Sequence, residues 1–266
     1  MKIKTIEPKK KLILIAGPCV IENRKLTLYT ASYLKDLTAS HPIEFIFKAS
    51  FDKANRTKLA SFRGPGLTRG IRILEEVKKK LGVKILSDVH CRNQIKHVKD
   101  ILDIIQIPAF LCRQTDLILE VANTKKIINI KKGQFLSPQD MKYIVEKIES
   151  TGNKKIWITE RGTCFGYNNL VVDFRAFLTM KKLGYPVIYD VTHSLQRPAS
   201  EEGITGGDRE FAYPLSLASI ACGVDGLFME VHPQPEAALS DRATSFHLFQ
   251  LDTLIKQALK IREVVQ

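Results

Sequence analysis

Residues Lys11–Pro18 read KLILIAGP, five apolar residues in a row (Leu12–Ala16) ahead of a Gly-Pro turn. A strand with one wet face alternates apolar and polar side chains. A strand covered on both faces is apolar throughout, as in a parallel sheet. Seven more such runs follow. They are Glu44–Phe51 (EFIFKASF), Val83–His90 (VKILSDVH), Ile104–Phe110 (IIQIPAF), Ile127–Gln134 (IINIKKGQ), Lys155–Gly162 (KIWITERG), Pro186–His193 (PVIYDVTH) and Asp225–Pro233 (DGLFMEVHP). Segments with helical spacing lie between them. Arg69–Leu81 is apolar at Ile71, Ile73, Leu74, Val77 and Leu81, and stops at Gly82, a residue suited to the left-handed position past a helix end. Ser137–Thr151 opens Ser-Pro-Gln-Asp, which predicts Ser137 as N-cap and Pro138 as the first helical residue. Phe246–Val265 reads as the last helix. Strand–helix alternation repeated eight times predicts an α/β fold, a (β/α)8 TIM barrel forming one domain over residues 1–266. An open doubly wound sheet is the alternative, and eight units in one chain favour closure. Residues 1–10 (MKIKTIEPKK) fit no unit and are expected to form a short extension capping the barrel bottom.

Composition bounds the function. The 266 residues are 44% hydrophobic and 26% charged, which excludes a disordered chain. No apolar run approaches the ~18 residues a bilayer span needs. The apolar stretch near the N-terminus is too short for a signal peptide, so a cytoplasmic location is expected. Cys19, Cys91, Cys112, Cys164 and Cys222 are odd in number and form no CxxC pair, so a disulfide framework is not expected and most are read as buried hydrophobes. Lys and Arg number 41 against 28 acidic residues, a formal charge of +13. Such a charge suits either nucleic acid or anionic metabolites, and the placement of the cations decides between them.

In a parallel α/β barrel the active site lies at the C-terminal strand ends. Polar residues fall there in every unit: Cys19; Lys48 and Lys53; Asp88 and His90; Gln106; Lys131 and Lys132; Glu160 and Arg161; Asp190 and His193; Glu230 and His232. Singly, each has an ordinary reading, since Lys48 can snorkel and His193 can be a satisfied core histidine. Together they describe a polar, mostly cationic cup. Lys48, Lys53, Arg56, Arg113, Lys131 and Arg161 are phosphate- or carboxylate-binding types. Cys19, His193, Glu230 and Asp241 make a mixed thiolate, imidazole and carboxylate set suited to Zn²⁺, Fe²⁺ or Mn²⁺, provided that a closed barrel makes the first, seventh and eighth strands neighbours. The longest candidate loop, Gln196–Glu210, follows the seventh strand, where a mobile active-site loop is expected.

The motifs AGPCVIE (Ala16–Glu22), FKASFDKANRT (Phe47–Thr57), QIPAFLCRQTDL (Gln106–Leu117), KKGQFLSP (Lys131–Pro138), TERGTCFGYNNLVVD (Thr159–Asp173), YDVTHSLQ (Tyr189–Gln196) and FMEVHPQPEAALSD (Phe228–Asp241) occur in that order. In them the chain resembles the 3-deoxy-D-manno-octulosonate 8-phosphate synthases over nearly its whole length. The resemblance implies condensation of phosphoenolpyruvate with D-arabinose 5-phosphate and water. The products are the eight-carbon phosphorylated sugar acid of the lipopolysaccharide inner core and inorganic phosphate. It implies Lys53, Lys131 and Arg161 as phosphoenolpyruvate ligands, with Lys48 beside them. Asn55, Arg56, Thr57 and Asp190 are implied at arabinose 5-phosphate. Arg113 is implied to reach the pentose phosphate of a neighbouring subunit, hence a homotetramer. Lys48, Lys53, Lys131, His193 and Cys19 become the catalytic set. Cys19, His193, Glu230 and Asp241 match the ligands of one divalent ion in the metal-dependent branch, because the metal-independent branch carries Asn where Cys19 stands. Gly133 after Lys132 also resembles the metal branch. Thr57 replaces the usual Ser but keeps the hydroxyl. Cys91 stands where the family has an acidic residue, and the charged Ser200–Glu210 loop receives no ligand.

Three other readings compete with this one. The related 3-deoxy-D-arabino-heptulosonate 7-phosphate synthases share a GPC motif, but their sugar motif resembles KPRTS, against KANRT here (Lys53–Thr57). A Schiff-base aldolase would use Lys48, Lys131 or Lys132 as its amine, yet these lysines have arginine companions, which suits anion binding. A nucleic-acid binder needs exposed cations with interleaved aromatics. Lys78–Lys80 and Lys154–Lys155 have no such stripe, so neither nucleic acid nor membrane is expected as a partner.

Overall fold

The computed structural model describes residues 11–201 and 204–265. The expected N-terminal extension, residues 1–10, lies outside them. Eight strands form the barrel wall: β1 (Leu12–Gly17), β2 (Ile43–Lys48), β3 (Lys84–Asp88), β4 (Ile104–Ile107), β5 (Ile127–Lys131), β6 (Ile156–Glu160), β7 (Val187–Asp190) and β8 (Gly226–His232). Each pairs in parallel with the next, and β8 pairs in parallel with β1, so the sheet closes. The expected (β/α)8 barrel is therefore present, and the open-sheet alternative is not.

Side-chain alternation explains why the strands end in a polar cup. Ile13, Ile15, Ile46, Leu86, Ile104, Trp157, Ile188 and Phe228 form one buried cluster inside the ring. Successive strand residues point to opposite faces, so positions two apart share a face. Two residues beyond Ile46, Leu86, Ile104, Ile188 and Phe228 stand Lys48, Asp88, Gln106, Asp190 and Glu230. The apolar lower layer and the polar upper layer are thus the same face of the same strands. The opposite parity, including Leu14, Phe47, Ile85, Ile105, Ile130, Ile158, Tyr189 and Met229, packs outward against helical residues such as Leu34, Leu74, Val77, Ile118, Phe177 and Leu254.

The helices largely follow the periodicity. Leu67–Leu81 ends at Gly82, whose φ of 66° is left-handed and whose N–H donates to the Lys78 carbonyl. Two helix starts differ from expectation. Ser137 makes no side-chain capping bond; Pro138–Asp140 is a 3-10 turn leading into the helix Met141–Glu149. The last helix runs Leu251–Val265, because Phe246–His247 pairs with Val231–His232 of β8 and Leu248–Gln250 is a 3-10 turn. Two hairpins interrupt the βα rhythm. Thr163–Gly166 pairs with Asn169–Val171 after β6. Gln196–Glu201 pairs with Ile204–Gly207 after β7, so the segment expected to be a loop is largely an antiparallel ribbon.

One glycine has a steric reason that bears on the site. A Cβ on Gly17 would lie 2.0 Å from the Lys48 carbonyl oxygen. Only glycine lets β1 pass β2 this closely, and the passage sets Cys19 over Lys48, whose Nζ donates to the Cys19 carbonyl at 2.8 Å. The cysteines partly depart from expectation. All five are free, but only Cys19 and Cys112 are buried; Cys91 and Cys164 are exposed and Cys222 is intermediate. Cys91 opens the helix Arg92–Val98 without a side-chain capping bond. No helix among the described residues is long and apolar enough to cross a membrane.

Candidate active site

A cavity of about 160 Å³ opens at the C-terminal strand ends. Lys48, Lys53, Asn55, Arg56, Thr57, Lys131, Arg161, His193 and Asp241 line it, nine of the residues singled out from sequence. They come from the ends of β2, β5, β6 and β7 and from the loops after β2 and β8, and barrel closure alone brings them together. Cys19 and Glu230 lie in the wall beside Asp241. Asp190 is fully buried and is not among the residues lining the cavity: Oδ1 accepts from the His193 main-chain N–H at 3.1 Å and lies 3.0 Å from His193 Nδ1, while Oδ2 accepts from Lys131 Nζ. These contacts hold Lys131 and His193 in place. Arg113 is exposed and lies outside this cavity, in a surface hollow with Leu136, Asp140, Tyr143 and Lys147.

The cations are held by buried carboxylates. Lys48 Nζ donates to Glu230 Oε1 at 2.6 Å, and Lys53 Nζ is 3.5 Å from the same oxygen. Lys131 Nζ also stands 3.7 Å from the centroid of the Phe228 ring, a favourable cation–π position. Burial lowers the pKa of Lys131 and of Arg161, in each case outweighing nearby negative charge. Lys53 is raised instead: burial opposes its charge, but the Cys19 sulfur, Glu230, Asp88 and Asp241 overcome that cost. Burial would push Glu230 up, yet His193, Lys48 and Lys53 hold it well below the usual carboxylate range.

Cys19, Glu230 and Asp241 present ligand atoms that all lie within 4.8 Å of one another. His193 is outside that mutually close trio, but its Nε2 is 3.4 Å from Glu230 Oε1 and 3.7 Å from Asp241 Oδ2. Two details fit a cation. Glu230 Oε2 is buried with no hydrogen-bond partner among the described residues. The Asp190 contact to Nδ1 leaves Nε2 as the ring edge facing the trio, the arrangement that orients metal-ligating histidines. Burial raises the Cys19 thiol well above its ordinary pKa, and Asp241 and Glu230 raise it further. Three acidic groups crowded together are a cost that a divalent ion relieves. Asp241 itself has φ 46°, an uncommon conformation for a residue with a side chain, at the point where its carboxylate turns into the site.

Several residues in or beside the cavity received no role from the sequence. Ser240 Oγ is 2.7 Å from Cys19 Sγ and accepts from Arg56, tying the KANRT loop to the thiol. Gln134, Gln196 and Thr205 line the cavity itself. Neutral polar residues outside the barrel strands give no periodic signal, so only their contacts reveal them. Asp88 and His90 stood out as polar strand-end residues; they pair at 3.0 Å on the cavity wall.

The carboxylates make the fold acid-sensitive in a defined window. Burial would raise Asp190, but His193 and Lys131 hold it far below its ordinary value. Burial would likewise raise Asp88, but the hydrogen bond and charge of His90, then Lys53 and Lys48, hold it far down. A carboxyl with a depressed folded pKa contributes stability that is complete above the unfolded value and is lost as pH falls toward the folded one. The urea midpoint is therefore expected to hold from about pH 7 to 5 and to fall below about pH 4. A midpoint unchanged down to about pH 3 would contradict this placement of the two charges.

Comparison with known proteins identifies the lineage. The DAHP synthetase I family matches residues 5–266. The chain is 54% identical over 256 residues to the 2-dehydro-3-deoxyphosphooctonate aldolase of Geobacter sp. (strain M21), covering 96% of this chain and 94% of that protein. It is 51% identical over 257 residues to the protein of that name from Geobacter sulfurreducens, covering 97% and 94%. It is 52% identical over 258 residues to its Fusobacterium nucleatum counterpart, covering 97% and 93%. With such identity spread along the whole barrel, the chain belongs to the DAHP synthetase I family and, within it, to the 2-dehydro-3-deoxyphosphooctonate aldolases.

Proposed function

We propose that this enzyme condenses phosphoenolpyruvate with D-arabinose 5-phosphate and water to give 3-deoxy-D-manno-octulosonate 8-phosphate and inorganic phosphate, for the lipopolysaccharide inner core. One observation carries the reading: Lys53, Lys131 and Arg161 share a single cavity with Asn55, Arg56 and Thr57, beside the Cys19, Glu230 and Asp241 trio. Two phosphorylated substrates need two cationic subsites facing each other. Lys53, Lys131 and Arg161 take the carboxylate and phosphate of phosphoenolpyruvate, with Lys48 beneath them. Asn55, Arg56 and Thr57 take the pentose phosphate, joined by Arg113 from a neighbouring subunit in a cytoplasmic homotetramer. Asp190 acts through Lys131 and His193. The described residues form one barrel domain.

The chemistry follows from charge and orientation. C3 of phosphoenolpyruvate bonds to the pentose aldehyde carbon, whose oxygen takes a proton. Water adds its oxygen at C2, and the C2–O bond breaks to release phosphate. The lysines and Arg161 offset the repulsion between two anions in a partly dry pocket, where such interactions are stronger than in water. Holding the carbons in near-attack geometry supplies up to roughly 7–11 kcal/mol. Cys19, His193, Glu230 and Asp241 would hold one divalent ion, Zn²⁺, Fe²⁺ or Mn²⁺, which supplies a Lewis acid and an orienting centre for the pentose or the water.

A direct assay tests this. Purified enzyme is expected to release phosphate from phosphoenolpyruvate with arabinose 5-phosphate and not with erythrose 4-phosphate. Label in the bridging oxygen should leave with the phosphate. Chelation should abolish turnover, and one equivalent of divalent ion per chain should restore it. Preference for the four-carbon sugar would reassign the substrate, and a borohydride-trapped lysine adduct would replace the mechanism. Full activity after complete metal removal would remove the metal from the reading.

A further inference from the structure

Gln196 is the first residue of the ribbon after β7, and its side chain bridges Arg161 and Asp241. Its Oε1 accepts from Arg161 Nη2 at 2.8 Å, and its Nε2 donates to Asp241 Oδ2 at 3.1 Å. The direction of this amide is set by chemistry. A guanidinium only donates and an ionised carboxylate only accepts, so the carbonyl faces Arg161 and the NH₂ faces Asp241. The same Asp241 Oδ2 receives the Cys19 S–H at 3.3 Å. On the other side, Arg161 Nη1 is buried with no hydrogen-bond partner among the described residues. Gln196 therefore anchors one prong of the guanidinium and leaves the other for an anion.

The ribbon holds Gln196 in place. Gln196 pairs with Gly207, where a Cβ would lie 2.8 Å from the Leu195 carbonyl and 2.2 Å from Thr244 Cγ2. Thr244 in turn belongs to the Asp241 turn, since its N–H donates to the Asp241 carbonyl at 3.1 Å. The Arg197–Asp208 ion pair clamps the ribbon base from outside, with Nε 3.0 Å from Oδ2.

We infer that Gln196 is a positioning residue that couples the anion-binding arm to the cation-ligating carboxylate, so that occupancy of either subsite tightens the other. The inference rests on the function proposed above. An anion drawing on Arg161 and a cation drawing on Asp241 pull at opposite ends of one amide. Each ligand then preorganises the residue that the other needs. Such coupling is reciprocal and typically amounts to about 5–150-fold in affinity.

The test measures Mn²⁺ affinity by equilibrium dialysis, with and without saturating phosphoenolpyruvate and with no pentose present, so that no turnover occurs. In the wild-type enzyme phosphoenolpyruvate is expected to tighten Mn²⁺ about fivefold or more. In Gln196→Met, similar in length but unable to bridge, Mn²⁺ should bind about tenfold more weakly and the tightening should vanish. Gln196→Asn, too short to reach both partners, should behave alike and guards against a folding defect in the Met variant, which thermal melts would reveal. If Gln196→Met keeps the wild-type enhancement, the inference is overturned, including the case where both affinities fall in proportion, as a merely structural role would produce. Wild-type enzyme that binds both ligands without enhancement also overturns it. Wild-type enzyme that binds neither overturns the underlying reading of the site instead.

Discussion

Lys48→Met is expected to destabilise the protein by about 3–5 kcal/mol and to remove turnover. Lys48 is 1% exposed, and its ammonium is shared between Glu230 Oε1 at 2.6 Å and the Cys19 carbonyl at 2.8 Å. Methionine keeps most of the side-chain volume, so the change is electrostatic rather than a cavity. What it leaves is a fully buried Glu230 with one oxygen already unpartnered and with weaker contacts to Lys53 at 3.5 Å and His193 at 3.4 Å. Removing one partner of a buried pair is costly because the remaining charge has lost its solvation without compensation. Denaturant unfolding with and without added divalent ion measures the effect. A loss under about 1 kcal/mol in both conditions would show that the pair is better solvated than its burial implies. Glu230→Gln combined with Lys48→Met should recover much of the stability and none of the activity.

Lys131→Met is expected to cost about 10²–10³-fold in kcat/KM while the barrel stays folded. Its ammonium sits between the Asp190 carboxylate and the Phe228 ring, facing the cavity. With the lysine gone, Asp190 keeps the His193 contacts, so the buried charge retains a partner. The loss therefore falls on substrate binding and on the developing charge rather than on folding. Phosphoenolpyruvate binding by calorimetry should weaken together with kcat/KM. Activity within about tenfold of wild type would mean that Lys131 is a structural counterion to Asp190 and not a substrate ligand. Lys132→Met provides the contrast. Lys132 is fully buried and bonded to the Gly133 and Leu136 carbonyls and to Thr163, so its loss should read out in stability first.

The eight strands were legible because both faces of each are covered, and that requirement writes continuous apolar runs into the chain. The observed spans fall inside the runs or begin one residue ahead of them, as Ile43 does for β2. Helix ends were less legible. Gly82 was, because a left-handed φ at a helix end selects glycine locally. Ser137 was not, because a 3-10 turn took the place of the capped first turn. Phe246–His247 has the apolar spacing of a helix yet joins β8, a pairing available only once the barrel has closed. Within the site, charged residues at strand ends were visible because charge late in an apolar strand is expensive unless it is paired. Gln196, Ser240 and Thr205 were not, since a neutral side chain beyond the barrel wall carries no such cost and leaves no pattern.

From its order of residues alone, the chain determined a closed ring of parallel strands, a cationic rim and its family. These are consequences of local periodicity, of burial and of motifs that a linear reading contains. Which cation pairs with which carboxylate was decided only in three dimensions. Asp190 settled beneath Lys131 and His193, Arg113 was left exposed outside the cavity, and Gln196 came to bridge Arg161 and Asp241. The physical reason is that hydrogen bonds and ion pairs act over a few ångströms, and residues 35 to 59 positions apart, as in Lys131–Asp190, Arg161–Gln196 and Gln196–Asp241, reach that range only once the barrel is folded.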